Sequence, residues 1–223
     1  MNSIIDQLKE IDTPTLSNAI EKLAVRSRIS GFADRRMKCL FPELGVMCGV
    51  AVTAQVETIA PEIEGGLDQG FVALCRALEA CKGPGIIVFQ EISGHPEFSA
   101  HCGEVMTTIF QRLGGIGLVS DCAVRDIAEV RERKFHYFAA GKVASHGTFR
   151  VVRAQVPITV CGLQIAPGDL LHGDENGLIK VPGEGRDQLP RLTDEVRQAE
   201  SALLDYVNSD GFTVEGLRER LTH

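Results

Sequence analysis

Three ionisable residues stand where a reaction centre could form: Glu104 at a helix start, and Arg125 with Asp126 at a strand exit. The backbone N–H groups of Glu104, Val105 and Met106 follow Gly103 at that helix start. There they have no intrahelical partner and suit a carboxylate. Arg125 supplies a planar cationic fork for a carboxylate or an enolate. Asp126 is a hard oxygen ligand of the kind that holds Mg²⁺ or Mn²⁺. Taken together they would form an anion cradle with a divalent metal cation beside it. The plainer reading stays open beside this one. Arg-Asp pairs are common on surfaces, and a Glu in a first helical turn complements the helix dipole. A zinc site from His95, His101 and Cys102 is a lesser alternative. No H-E-x-x-H, G-x-S-x-G or Walker pattern occurs, and the acids between Gly162 and Gly177 read as parts of strand-connecting turns.

The elements that must position these residues can be read from periodicity. Val105, Ile109 and Leu113 recur at helical spacing, so Gly103 to Leu113 is predicted as a helix ended by Gly114-Gly115. Ile116 to Ser120 reads as a buried strand with Asp121 to Asp126 as its exit loop, and Ile127 to Arg133 as a further helix. Upstream, Thr13-Pro14 opens a helix carrying Leu16, Ile20 and Leu23 on one face. Gly49 to Glu57 alternates as a half-buried strand. Phe71 to Leu78 forms a helical stripe stopped by Gly83-Pro84-Gly85, and Ile86 to Phe89 is a short strand. Glu91 to Cys102 reads as a polar loop. Strands are expected at Arg150–Val156, Ile158–Val160, Asp169–His172 and Gly177–Val181. A long tail helix, Arg186 to Ser209, closes the pattern and a shorter helix follows it. Helices and strands interleave, so the expected class is α/β with mixed sheets, as a single domain over residues 1–223.

Composition narrows the function classes. The chain has 223 residues, a net charge of −7, 5% aromatic residues and no Trp, which argues against a basic nucleic-acid face or a base-stacking platform. No apolar run reaches the roughly 20 residues that span a bilayer, and the N-terminal stretch lacks a signal-peptide core. Seven cysteines without a C-x-x-C pair fit a reducing, cytoplasmic setting.

Read in order, several segments resemble the RraA-like family, which includes 4-hydroxy-4-methyl-2-oxoglutarate aldolases and the regulator of ribonuclease E activity A. They are TPTLSNAIEKL at Thr13–Leu23, GVAVT at Gly49–Thr53, Gly103-Glu104, and GLVSDCAVRD at Gly117–Asp126. VASHG at Val143–Gly147 and PGDLLHGDENGLIKVP at Pro167–Pro182 complete the set. The aldolase members carry an acid, twenty residues and then Arg-Asp. Here Val105 to Val124 fill that interval between Glu104 and Arg125-Asp126, and Glu129 supplies the further acid of the extension.

The resemblance implies a swivelling β/β/α sandwich with the C-terminal helix at a subunit interface. It implies a divalent-metal-dependent class II pyruvate aldolase acting on a 4-hydroxy-2-oxo acid, with oxaloacetate decarboxylase as a side activity. Asp126 would bind the metal, Arg125 would contact the substrate's keto or carboxylate oxygen, and the backbone after Gly103 would hold the pyruvyl carboxylate. Glu104 would help activate a water. The assembly would be a homotrimer, or a hexamer of two trimers. Glu200 of a neighbouring C-terminal helix would join the site, with Glu195 a weaker match. A non-catalytic protein-binding regulator of ribonuclease E activity is the alternative the same resemblance carries. The chain departs from the pattern at Glu104, one methylene longer than the usual Asp, and at Cys122 for Gly. It departs also at Cys102 for an aromatic and at Asn18 for Asp. These departures bear on the substrate more than on the metal chemistry.

Overall fold

Short apolar runs separated by glycine turns assemble into an eight-stranded mixed sheet in the computed structural model, which describes residues 3–58 and 69–221. The strands are β1 (Lys38–Cys39), β2 (Met47–Glu57), β3 (Gly85–Glu91), β4 (Gly115–Val124) and β5 (His136–Lys142). They continue as β6 (Arg150–Ala154), β7 (Ile158–Val160), β8 (Leu163–Ile165), β9 (Leu170–Asp174) and β10 (Gly177–Val181). The sheet runs β1-β5-β4-β3-β2-β9-β10, with β6 also on β2, while β7 and β8 form a separate hairpin. The helices are α1 (Ile4–Lys9), α2 (Thr13–Lys22), α3 (Gln69–Glu79), α4 (Glu104–Arg112), α5 (Ile127–Glu132), α6 (Leu189–Val207) and α7 (Val214–Leu221). This is the mixed α/β class with a C-terminal helix that the sequence predicts.

Strands β2, β3, β4 and β5 are parallel, and α3, α4 and α5 lie between them in the chain as crossovers. One core cluster joins β2, β3 and β4 to α3, α4 and α5 through Val52, Leu74, Phe89, Phe110, Leu118 and Val130. On the opposite face Met47, Val88, Phe138 and Leu171 pack with the β7–β8 hairpin. A third cluster joins α1, α2 and the first half of α6 to β9 and β10 through Leu8, Leu16, Ile179, Leu189 and Leu192. Asp174 of β9 accepts the Thr13 N–H at 2.7 Å, and buried His172 faces the Thr13 hydroxyl at 3.0 Å, which fixes the start of α2. Among the described residues no helix is long and apolar enough to cross a membrane, and all seven cysteines are unpaired.

Four sequence expectations change. The half-buried strand Gly49–Glu57 is a central strand, flanked on both edges and buried on both faces for most of its length. Of the predicted exit loop Asp121–Asp126, the first four residues are instead the end of β4, because the Asp121 carboxylate is used inside the fold. Strand β5, His136–Lys142, has no alternation to betray it and pairs in parallel with β4. The tail helix is α6, Leu189–Val207, preceded by a 3₁₀ turn at Arg186–Gln188.

His136 links this packing to pH. Burial, helped by the Lys9 charge, lowers its imidazole to about 4, and its Nδ1 is buried without a partner. The unfolded chain therefore binds the proton more readily, with an ordinary value near 6.5. The stabilising effect is complete above that value and is lost as pH falls from about 6.5 towards 4. Urea midpoints recorded from pH 7 to pH 4.5 should fall more steeply for the native chain than for His136→Leu. Parallel curves for the two proteins would show that His136 does not drive the loss.

Candidate active site

The site lies beyond the C-terminal ends of β3 and β4, where parallel α/β sheets commonly place ligands. The chain leaves β3 at Glu91 and returns alongside β4. His101 N–H donates to Ala123 O at 2.9 Å, Ala123 N–H to Ser99 O at 3.0 Å, and Arg125 N–H to Cys102 O at 3.0 Å. This extra stretch of pairing brings Gly103 against Arg125 and Asp126. A Cβ on Gly103 would sit 2.3 Å from Asp126 Oδ2 and 3.2 Å from Arg125 Nε, so only glycine allows the approach.

A cleft of about 250 Å³ opens there, lined by Cys102, Gly103, Val105, Met106, Arg125, Asp126, His146 and Phe149 with Ala100 behind them. Asp126 adopts a left-handed backbone, φ 54° and ψ 47°, at the start of α5. Its Oδ2 accepts the Glu104 N–H at 2.8 Å and so caps α4, a task the Gly103 N-cap cannot perform. Its Oδ1 stands 3.7 Å from Arg125 Nε. Intrahelical bonding in α4 begins with Thr107 N–H to Gly103 O, so the N–H groups of Val105 and Met106 lie ahead of the first turn.

The residues named from sequence are partly gathered here. Gly103, Val105, Met106, Arg125 and Asp126 share the cleft. The Glu104 carboxylate does not: it pairs with Arg133 at 2.7 Å on the outer side of α4. Glu200 lies elsewhere, on the exposed part of α6, where it accepts from Asn18 Nδ2 at 3.2 Å and edges a hollow with Leu203 and Arg220. Glu195 pairs with Arg191 on the same helix and with Lys22 of α2. A larger hollow of about 540 Å³ over Gln55, Gln90, Gln164 and Lys180 has no acid in its lining, and Lys180 is paired with Asp169 at 3.1 Å.

Sequence reasoning missed the anchor beneath the cleft. The Glu91 side chain is 2% exposed and His101 is fully buried, with Nε2 and Oε2 2.8 Å apart. The Glu91 carboxylate also accepts from Ser93 N–H at 2.8 Å, Ser99 Oγ at 2.9 Å, and both the hydroxyl and the N–H of Thr58. Burial alone would raise this acid. The bonds from His101, Ser93 and Thr58 outweigh burial and hold it well below the usual carboxylate range. His101 Nδ1 faces Ser120 Oγ at 2.8 Å, tying the network to β4. Cys122 joins Glu91 and His101 with ligand atoms within 4.8 Å of one another. Five protein donors already fill the Glu91 oxygens, and burial beside Asp121 and Glu91 drives the Cys122 thiol up and keeps it protonated. The cluster is thus a satisfied polar anchor for the loop. The zinc grouping of His95, His101 and Cys102 does not form, since exposed His95 turns to Glu97. The signal available beforehand was the density of Ser, His and Glu in one short loop.

Comparisons with known proteins agree with this architecture. The family profile described as RraA-like, Aldolase/RraA, matches residues 13–180. A 4-hydroxy-4-methyl-2-oxoglutarate aldolase of Thermus thermophilus is 31% identical over 114 residues, covering 49% of this chain and 67% of that protein. Protein DlpA of Legionella pneumophila is 30% identical over 119 residues, 52% of this chain, and the match spans only 19% of DlpA. Among solved structures, an uncharacterized protein from Pseudomonas syringae pv. tomato superposes with a TM-score of 0.73 at 24% identity, covering 99% of this chain and 94% of that one. Streptomyces coelicolor RraAS2, described as an unusual member of the RNase ES inhibitor RraA protein family, gives 0.69 at 22% identity, covering 89% and 93%.

Proposed function

The chain belongs to the RraA-like family, and from that premise we propose that it is a divalent-metal-dependent lyase cleaving a 4-hydroxy-2-oxo acid to pyruvate and a carbonyl compound. The observation that carries this reading is the convergence in one cleft of a guanidinium, a hard carboxylate oxygen and two backbone N–H groups at a helix start. The donor set fits a hard cation. Asp126 Oδ1 is the carboxylate oxygen left beside the cleft, and a single such oxygen with room for water suits Mg²⁺ or Mn²⁺. Burial lifts the Cys102 thiol to about 11, so no thiolate stands ready for a softer metal. Held by Asp126, the ion would supply Lewis-acid polarisation of the substrate's keto oxygen.

The chain's own groups do the remaining work. Val105 and Met106 N–H hold the pyruvyl carboxylate. Arg125 faces the keto oxygen, where charge gathers as the C3–C4 bond breaks and an enolate forms. The same enolate arises when oxaloacetate loses CO₂, so one site serves both reactions. Glu104 enters through its backbone, since its carboxylate is engaged by Arg133.

Assembly belongs to the same reading. On α6 Leu192 and Val196 are buried, but further along Leu204 is 60% and Val207 39% exposed. Beside the cleft Val105 is 74% exposed. These apolar surfaces support a closed trimer, or a hexamer of two, in which the outer half of α6 covers a neighbour's α4 and brings Glu200 to its site.

The test is pyruvate release from 4-hydroxy-4-methyl-2-oxoglutarate and from oxaloacetate, with Mg²⁺ and after chelation by EDTA. We expect turnover with the metal and its loss without. No pyruvate from either substrate would favour a non-catalytic, protein-binding role instead.

A further inference from the structure

A retro-aldol cleavage needs a group that removes the 4-hydroxyl proton, and the cleft offers few. Of its ionisable lining residues, Arg125 is a permanent cation and the Cys102 thiol is held protonated near 11. Asp126 Oδ2 accepts the Glu104 N–H, and Oδ1, 3.7 Å from Arg125 Nε, is the oxygen assigned above to the ion. Glu104 itself is turned away to Arg133. His146 remains. It lines the same cleft, and its Nδ1 lies 2.6 Å from the Gly147 carbonyl oxygen. A carbonyl only accepts, so Nδ1 carries a hydrogen, and in the neutral ring the lone pair is then on Nε2. Among the described residues nothing pairs with that nitrogen.

The loop presenting His146 is pinned at both ends. Val143 N–H donates to Val124 O at 3.3 Å, one residue before Arg125, and Thr148 N–H donates to Thr58 O at 2.7 Å. Gly147 has φ +60°, and a Cβ there would meet Thr58 O at 2.6 Å, so the chain passes too close for any other residue. Thr58 also donates to Glu91, so the anchor beneath the cleft holds this loop as well.

We propose that His146 is the proton-transfer residue of the cleft, taking the 4-hydroxyl proton through Nε2. This rests on the lyase reading given above. As the proton leaves, the O–H electron pair becomes the new C4=O bond and the C3–C4 bond breaks. The C3–C4 pair forms a C2–C3 double bond, and the C2=O pair moves onto oxygen to give the pyruvate enolate. The imidazolium then gives its proton to C3, which returns the free base and completes the methyl group of pyruvate.

Decarboxylation of oxaloacetate makes the same enolate without any hydroxyl proton to remove, and that enolate can also be protonated by water. The two reactions therefore separate this residue from the rest of the site. For His146→Gln, the ratio of cleavage rate to decarboxylation rate should fall by about a hundredfold or more, the scale of general base catalysis. Added imidazole should restore part of the cleavage. His146 is exposed, so the variant should fold as the native chain does. An unchanged ratio, whether both rates persist or both fall, overturns the assignment while leaving the lyase reading standing. A native protein inactive on both substrates overturns that reading and this assignment with it.

Discussion

Asp126→Asn is expected to lower pyruvate release by about a thousandfold, the scale of losing several kcal/mol of charge stabilisation, while the protein stays folded. Asparagine is chosen for the backbone. Asp126 sits at φ 54°, a left-handed conformation that costs most L-residues about 1–2 kcal/mol and that Asn tolerates. Asn also keeps an oxygen to accept the Glu104 N–H, so the cap on α4 survives. Only the charge and the ion-binding oxygen are lost. Alanine is the poorer probe: it also removes the cap, worth about 1 kcal/mol. Asp126 is thus more than an exposed loop acid, because its Oδ2 caps α4. Mn²⁺ binding followed by calorimetry should weaken in parallel with activity. Near-normal turnover by a folded Asp126→Asn chain would remove Asp126 as the ion's ligand.

Why some of this site can be read from sequence and some cannot comes down to the range of the forces involved. Gly103 before a helical period and Arg125-Asp126 before Ile127 are local signals, and α4 and α5 begin within a residue of where periodicity puts them. The direction of the Glu104 side chain is different. It is set by Arg133, 29 residues further on, through a helix pair that only the fold creates. Polarity also misleads when it is satisfied internally. Glu91, Ser99 and His101 read as a solvated loop, yet they turn inward because each finds a partner there. Asp121 ends a predicted strand early for the same reason: its carboxylate accepts the Glu91 N–H inside the sheet. Strand β5 fails for want of pattern, since His136-Tyr-Phe-Ala-Ala-Gly-Lys has no alternation and owes its place to pairing with β4. On α6 Leu192 and Val196 are buried against the body, but Leu204 and Val207 in its outer half stay exposed. Periodicity reports what a helix is able to bury and is silent on which molecule covers it.

The guanidinium beside Asp126 carries the second large effect. Arg125→Lys should behave nearly as badly as Arg125→Ala, each lowering kcat by about a hundredfold or more, the scale for losing one oxyanion donor. The reason is geometric. Arg125 Nε lies 3.7 Å from Asp126 Oδ1, and the Arg125 backbone is tied to Cys102 O, so a planar fork reaches the cleft from a fixed base. A lysine ammonium supplies the charge without the fork and draws its own water with it. Because the guanidinium acts where charge develops, kcat should fall more than KM rises. Recovery of most activity by Lys would mean that charge alone matters there. The same inactive chain also tests Glu200. Mixed and reassembled with an inactive Glu200→Gln chain, Arg125→Ala should regain part of the native rate. Some interfaces would then pair an intact Arg125 with an intact carboxylate from the neighbouring helix. Failure to recover despite demonstrated subunit exchange would place Glu200 outside the neighbour's site.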